Sequence, residues 1–206
     1  MTVRIILAAL AAAAALSPQS PLAAQAPPTT PAPAAQDDLV RVALDTDKGR
    51  IVVALDRGRA PVTTANFLGY VDKKWLDGQP FYRAMPYGDG GLIQDGVRDG
   101  HKQLPAIAIE TTAATGLRNT AGAIVMANEG PGTTRSDFLI LTTDIPAFDA
   151  TAAEPGFAAF GRVVEGMDVV KAILAAPRSP TEGDGVMKGQ MLEPVVKIRK
   201  AARLPD

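Results

Sequence analysis

A succession of short alternating apolar segments, separated by turn-forming dipeptides, constrains this chain more than any other feature. Val40-Arg41-Val42-Ala43-Leu44-Asp45 alternates, Asp47-Lys48-Gly49-Arg50 makes a turn, and Ile51-Val52-Val53-Ala54-Leu55 follows. This reads as a β-hairpin with one buried face. After Asp77-Gly78 the pattern returns over Phe81–Met85, Gly91–Val97, Ala106–Glu110, Ala123–Asn128, Asp137–Thr143 and Phe157–Val164, and Val195–Leu204 supplies a last strand. The dipeptides Asp89-Gly90, Asp95-Gly96 and Asp99-Gly100 read as further turns, because Gly accepts the backbone angles that tight turns require. Only two stretches read as helix. Val62–Asp72 follows Ala60-Pro61, where Pro suits a first turn, and Met167–Ala175 is stopped by Pro177. About eight strands with two helices predict a mainly β domain, an antiparallel barrel or sandwich.

Composition then closes off most chemistry. The 206 residues contain no Cys and a single His, His101, so disulfides, thiol nucleophiles, iron–sulfur clusters and Cys- or His-rich metal sites are excluded. After residue 20 only Ser136 and Ser179 are serines, and neither sits in a G-x-S-x-G turn, which argues against a Ser–His–acid hydrolase. The four Asp-Gly pairs lack the spacing of a calcium loop, and Gly88-Asp89-Gly90-Gly91 lacks the Lys-Ser/Thr and helix start of a phosphate loop. With 21 basic and 22 acidic side chains, the net charge of −1 gives no reason to expect nucleic acid as a partner.

The amino terminus differs from the rest. Arg4 is the only charge in residues 1–36, and Ile5–Leu16 is an unbroken apolar run of 12 residues. That is short of the ~20 residues of a bilayer span but has the length of a signal-peptide core. Small residues at Ala23-Ala24-Gln25-Ala26 predict cleavage after Ala24 or Ala26, so residues 1–25 are expected to be a signal peptide. Residues 26–37 form a Pro/Ala-rich linker of polyproline character, and 38–206 form the globular domain. An exported, acidic, cysteine-free chain fits a bacterial periplasm, with no stable membrane insertion.

Several segments together carry a resemblance. They are Phe81-Tyr82-Arg83 followed by Gly91-Leu92-Ile93-Gln94-Asp95-Gly96, Gly116-Leu117-Arg118-Asn119-Thr120, and the run from Ala123 through Ala127-Asn128 to Ser136-Asp137-Phe138-Leu139-Ile140. Ala60-Pro61, Asn66-Phe67 and Tyr70-Val71 extend the match, as does Phe160-Gly161-Arg162 running to Val170. In order and spacing the chain resembles a cyclophilin-type peptidyl-prolyl cis–trans isomerase. The resemblance implies a closed eight-stranded antiparallel β-barrel capped by two α-helices, with a peptide groove on one face. It implies prolyl isomerase activity on unfolded or extended proline-containing polypeptides, by a monomer, without cofactor or metal.

The resemblance also assigns residues. Arg83 is expected to be catalytic, aiming its guanidinium at the prolyl amide, with Gln94 ordering it. Ala127 and Asn128 are expected to pair with the substrate backbone. Leu92, Phe138, Leu139 and Phe148 are expected to form or support the proline pocket. Departures accompany the match. Pro86–Gly91 reads as a short insertion that puts Gly91 where a pocket aromatic belongs, leaving Tyr87 as its nearest replacement. Asp137 stands at the second groove Gln, Leu139 at the second pocket Phe, Ala147 at the usual Trp, and Phe157 where a His often lines the groove. The competing reading is a weakly active or inactive cyclophilin-fold module that binds peptides.

Overall fold

The computed structural model describes residues 38–130 and 132–205; the expected signal peptide and the whole of the expected linker fall outside them. Eight strands are present: β1 (Leu39–Thr46), β2 (Gly49–Asp56), β3 (Pro80–Tyr87), β4 (Gly90–Asp95), β5 (Ala123–Met126), β6 (Phe138–Leu141), β7 (Ala158–Glu165) and β8 (Met191–Arg203). They pair antiparallel in the order β1-β2-β7-β5-β6-β4-β3-β8, and β8 returns to β1 to close the barrel. Closure satisfies every strand edge within the sheet.

Alternation decides what fills the barrel. Val42, Leu44, Ile51, Val53, Leu55, Ile93, Ile124, Phe138, Ile140, Phe160 and Ile198 point inward and are fully buried. Helix α1 (Pro61–Asp72) adds Phe67, Leu68, Tyr70 and Val71 to this cluster, and α3 (Met167–Leu174) adds Val170 and Ile173. The Phe67 ring meets Phe138 edge-on at 5.2 Å and lies 5.5 Å from Phe160, the geometry that aromatic quadrupoles favour. A one-turn helix, α2 (Thr112–Thr115), accompanies the two expected ones; Thr111 accepts from Ala114 N–H at its start.

Ala106–Glu110 forms no strand, contrary to its alternating pattern. The segment instead crosses to α1, whose N-cap Ala60 has no side-chain oxygen to offer. The Glu110 carboxylate accepts from Val62 N–H at 3.1 Å and from Thr63 N–H at 2.7 Å. These are helix-start donors that would otherwise lack partners, and a negative charge there also suits the helix dipole.

On β4, β5 and β6 both faces are buried, which a simple half-exposed strand does not explain. The outward side chains Leu92, Val125, Leu139, Leu141 and Ala159 form a second apolar cluster outside the barrel. The segment after β6 covers it with Ile145, Phe148 and Phe157. The sheet residues of this cluster are buried, and it reaches the surface through the partly exposed Met85, Phe148 and Phe157. Among the described residues no helix is long and apolar enough to cross a membrane.

Candidate active site

Strand register builds the floor of this outer site. Arg83 on β3 lies opposite Gln94 on β4, Gln94 opposite Leu139 on β6, Leu139 opposite Val125 on β5, and Val125 opposite Ala159 on β7. One row across five strands therefore runs from a cation through a carboxamide to apolar side chains. The neighbouring row is Met85, Leu92 and Leu141. A register irregularity between Phe81 and Arg83 sets the orientation: Phe81 and Ala84 are both buried, and Tyr82 and Arg83 between them are both half-buried on the outside. A bulge of this kind re-aims a side chain.

The half-buried Arg83 guanidinium is held by neutral groups. Its Nη1 donates to Gln94 Oε1 at 2.9 Å, its Nε to Gln190 Oε1 at 2.8 Å, and its Nη2 lies 3.3 Å from Met85 Sδ. Burial lowers its pKa from the ordinary guanidinium value, and nearby Tyr82 opposes that shift. Arginine remains charged in proteins, so the site presents an un-neutralised cation with donors to spare.

Behind this cation lies an acidic group. Asp137 accepts from Tyr82 OH at 2.6 Å and from Gln94 Nε2 at 3.4 Å, and Arg98 Nη1 approaches it at 3.5 Å. Arg98 also stacks over the Tyr82 ring, 4.5 Å from its centroid. Burial, then the charge of Asp137 and the hydrogen bond to it, push the Tyr82 phenol far above its ordinary range, so it stays a donor. With its Nε2 turned toward Asp137, Gln94 necessarily presents its oxygen to Arg83.

The predicted residues separate into groups. Arg83, Gln94, Leu92, Leu139 and Phe148 come together on this face, and Asp137 joins through Gln94. Phe148 meets Phe157 edge-on at 4.6 Å, both partly exposed over the apolar cluster. Ala127 packs against the same cluster, and its N–H donates to Asp137 O at 2.9 Å. The Asn128 side chain is occupied locally: it donates to Gly156 O at 2.9 Å and accepts from Gly130 N–H at 3.0 Å. The Asn128 carboxamide is thereby committed within the protein.

Two assignments change. Phe138 does not line the groove; it is fully buried inside the barrel against Phe67 and Phe81, because β6 alternation turns it inward and Leu139 outward. Tyr87 does not stand in for the missing aromatic; it is 46% exposed at the end of β3 and takes no part in the outer cluster, whereas Met85 packs against it. The expected insertion is the β3–β4 hairpin itself, with Tyr87 opposite Gly90 and Gly88 at φ +57° in a two-residue turn. Sequence reasoning missed Met85, which the two-residue alternation from Arg83 could have found. It also missed Gln190, for which no local signal exists. Among the described residues no group of three His, Asp or Glu side chains is placed to hold a metal ion.

Next to the site Asp95 is completely buried, and neither carboxylate oxygen makes a hydrogen bond of normal geometry. Burial first, and then the charge of Asp137, raise its pKa well above the carboxylate range; the Gly96 N–H and Arg98 only partly offset this. The folded chain therefore keeps this proton to higher pH than the unfolded chain does. The sign follows: stability falls as pH rises from the unfolded carboxylate range toward the raised folded value. Each unit of difference costs about 1.4 kcal/mol at the upper end. Asp95→Asn is expected to remove that slope. Melting temperatures measured from pH 4 to pH 8 should show the variant gaining on the wild type as pH rises; parallel curves would disprove the assignment.

Comparison with known proteins points to one family. Residues 40–202 match the family model for cyclophilin type peptidyl-prolyl cis-trans isomerases. A peptidyl-prolyl cis-trans isomerase of Acinetobacter baylyi is 34% identical over 141 residues, which is 67% of this chain and 73% of that protein. Peptidyl-prolyl cis-trans isomerase A of Dickeya dadantii is 33% identical over 158 residues, 75% of this chain and 80% of that protein. In fold, the crystal structure of a Cryptosporidium parvum cyclophilin type isomerase superposes with a TM-score of 0.67 at 18% identity, covering 82% of this chain and 99% of that one. A second structure of that protein, obtained in the presence of the dipeptide Ala-Pro, gives 0.66.

Proposed function

The chain belongs to the cyclophilin-type peptidyl-prolyl cis-trans isomerase family and is an isomerase of that kind; from this premise we propose that Arg83 catalyses X-Pro isomerisation in extended segments of exported proteins. The observation that carries the assignment is the un-neutralised Arg83 cation, fixed by two carboxamide oxygens beside an apolar cluster on the outer face of the barrel.

Isomerisation breaks no bond. It twists the C–N linkage over a barrier of ~18–20 kcal/mol by removing amide resonance. In the twisted state the prolyl nitrogen regains its lone pair and becomes a better acceptor. A donor aimed at that nitrogen therefore stabilises the transition state more than the planar ground state, the condition for catalysis. Arg83 supplies the donor. Leu92, Leu139, Met85 and the Phe148–Phe157 pair hold the ring, and the main chain at Ala127-Asn128 pairs with the residue before the proline, a short strand addition.

Export is the physiological half of the proposal. The apolar run and small-residue site at the amino terminus support it, as does the usefulness of an isomerase where uncatalysed exchange takes ~10–100 s and can limit folding. The test has two readings. NMR exchange on an X-Ala-Pro-Phe peptide should show acceleration by the wild-type protein, and the chain recovered from a periplasmic fraction should begin at Gln25 or Pro27. An exchange rate equal to the uncatalysed one would refute the catalytic assignment; an intact amino terminus retained in the cytoplasm would refute export.

A further inference from the structure

Of the two oxygens that hold Arg83, one comes from far along the chain. Gln190 ends the loop before β8, and its main chain is tightly bound: Ala84 N–H donates to Gln190 O at 2.9 Å, and Gln190 N–H donates to Met187 O at 3.0 Å. Its side-chain Nε2 donates to Val186 O at 2.7 Å, within the same loop. That last contact decides which way the carboxamide faces. The reverse orientation would set oxygen against the Val186 carbonyl and NH2 against a guanidinium, two repulsions in place of two hydrogen bonds. Gln190 Oε1 is thereby committed to Arg83 Nε at 2.8 Å.

Two carboxamides now fix the guanidinium from different sides, Gln190 at Nε and Gln94 at Nη1. A planar fork held at two of its three nitrogens cannot rotate. Nη2 lies against Met85 Sδ, and one N–H on each of Nη1 and Nη2 is left for a ligand. The holders are also neutral. A carboxylate at either position would form a bidentate ion pair with Arg83 and cancel the charge that the twisted amide needs.

We propose that Gln190 is a positioning residue of the isomerase: it aims Arg83 through Nε while leaving its charge un-neutralised. This rests on Arg83 acting at the prolyl amide, as argued above. Both polar atoms of the Gln190 carboxamide are engaged within the protein, Oε1 by Arg83 and Nε2 by Val186 O, so its effect is expected in kcat and not in KM.

The experiment measures kcat and KM by NMR exchange for wild type, Gln190→Ala, Gln190→Glu, Arg83→Ala and the Arg83→Ala/Gln190→Ala double variant, with rates normalised to folded protein. Gln190→Ala is expected to lower kcat about 5–20-fold, with KM within about twofold of wild type. Gln190→Glu keeps the side-chain shape and the main-chain bonds but places a carboxylate on the guanidinium, and is expected to lose at least as much at pH 7. In the Arg83→Ala background Gln190→Ala is expected to cost nothing further, since positioning has no object there. A Gln190→Ala rate within about twofold of wild type would overturn the proposal, as would an equal loss with and without Arg83. If Arg83→Ala itself matched wild type, the catalytic assignment of Arg83 would fail first; loss there with none at Gln190 would overturn only the positioning role.

Discussion

Arg83→Ala is expected to lower kcat/KM for an Ala-Pro peptide by about 10²–10³-fold, the range measured when a single donor to a developing charge is removed. The loss should fall on kcat. The substitution leaves the apolar cluster of Leu92, Leu139 and Phe148 untouched, so ground-state binding is expected to keep most of its apolar contact. Arg83→Lys is the sharper control. It keeps a positive charge, but an ammonium on a flexible stem cannot meet both carboxamide oxygens and still present a donor along a fixed direction. It is expected to recover less than about a tenth of the wild-type rate. A rate for Arg83→Ala above about a third of wild type, in protein with a normal melting curve, would show that the groove catalyses by another route.

Gly91→Phe is expected to damage the protein instead of completing its pocket. The resemblance places an aromatic at this position, so the substitution looks like a repair. The backbone forbids it. Gly91 sits at φ +149°, where side chains are rarely tolerated, and a Cβ built there would lie 2.1 Å from Met85 O and 2.9 Å from Pro86 Cα. The Gly91 carbonyl is also committed, accepting from Thr142 N–H at 2.8 Å. Relief requires opening the β3–β4 hairpin, in which Gly91 pairs with Pro86 and, three pairs on, Gln94 pairs with Arg83. Strain and overpacking together are expected to cost about 2–5 kcal/mol. For a domain of this size that lowers the melting temperature by roughly 5–15 °C. Activity should fall with it, because Arg83 and Gln94 share that hairpin. A variant with unchanged melting temperature and higher kcat/KM would show that the hairpin can yield and that the position still belongs to the pocket.

Both outcomes bear on how much of this molecule was legible before its structure. The strand alternation and the turn at Asp47–Arg50 were enough to place β1 and β2, and the Pro-led helix came out within one residue. Ala106–Glu110 alternates as well as either strand, yet it is not one. Alternation reports that one face is apolar, and a loop that packs along a helix start satisfies the same condition. Phe138 and Leu139 show the limit at single residues. Both are apolar and adjacent, and only the register of β6 against β4 and β5 decides which faces the core and which the groove.

What the sequence determined by itself is therefore the material that acts locally: alternation, turn dipeptides, a helix start, and an ordered set of segments that identifies the family. These depend on neighbours a few residues away, and the chain states them directly. The arrangement that makes Arg83 useful depends on distances the chain does not state. Gln94 reaches it across 11 residues by hairpin register, and Gln190 across 107 by the pairing of β8 with β3. A carboxamide oxygen becomes a holder only when strand pairing brings it, or the loop that carries it, within 3 Å of a guanidinium. That proximity is a property of the closed sheet and of no segment alone.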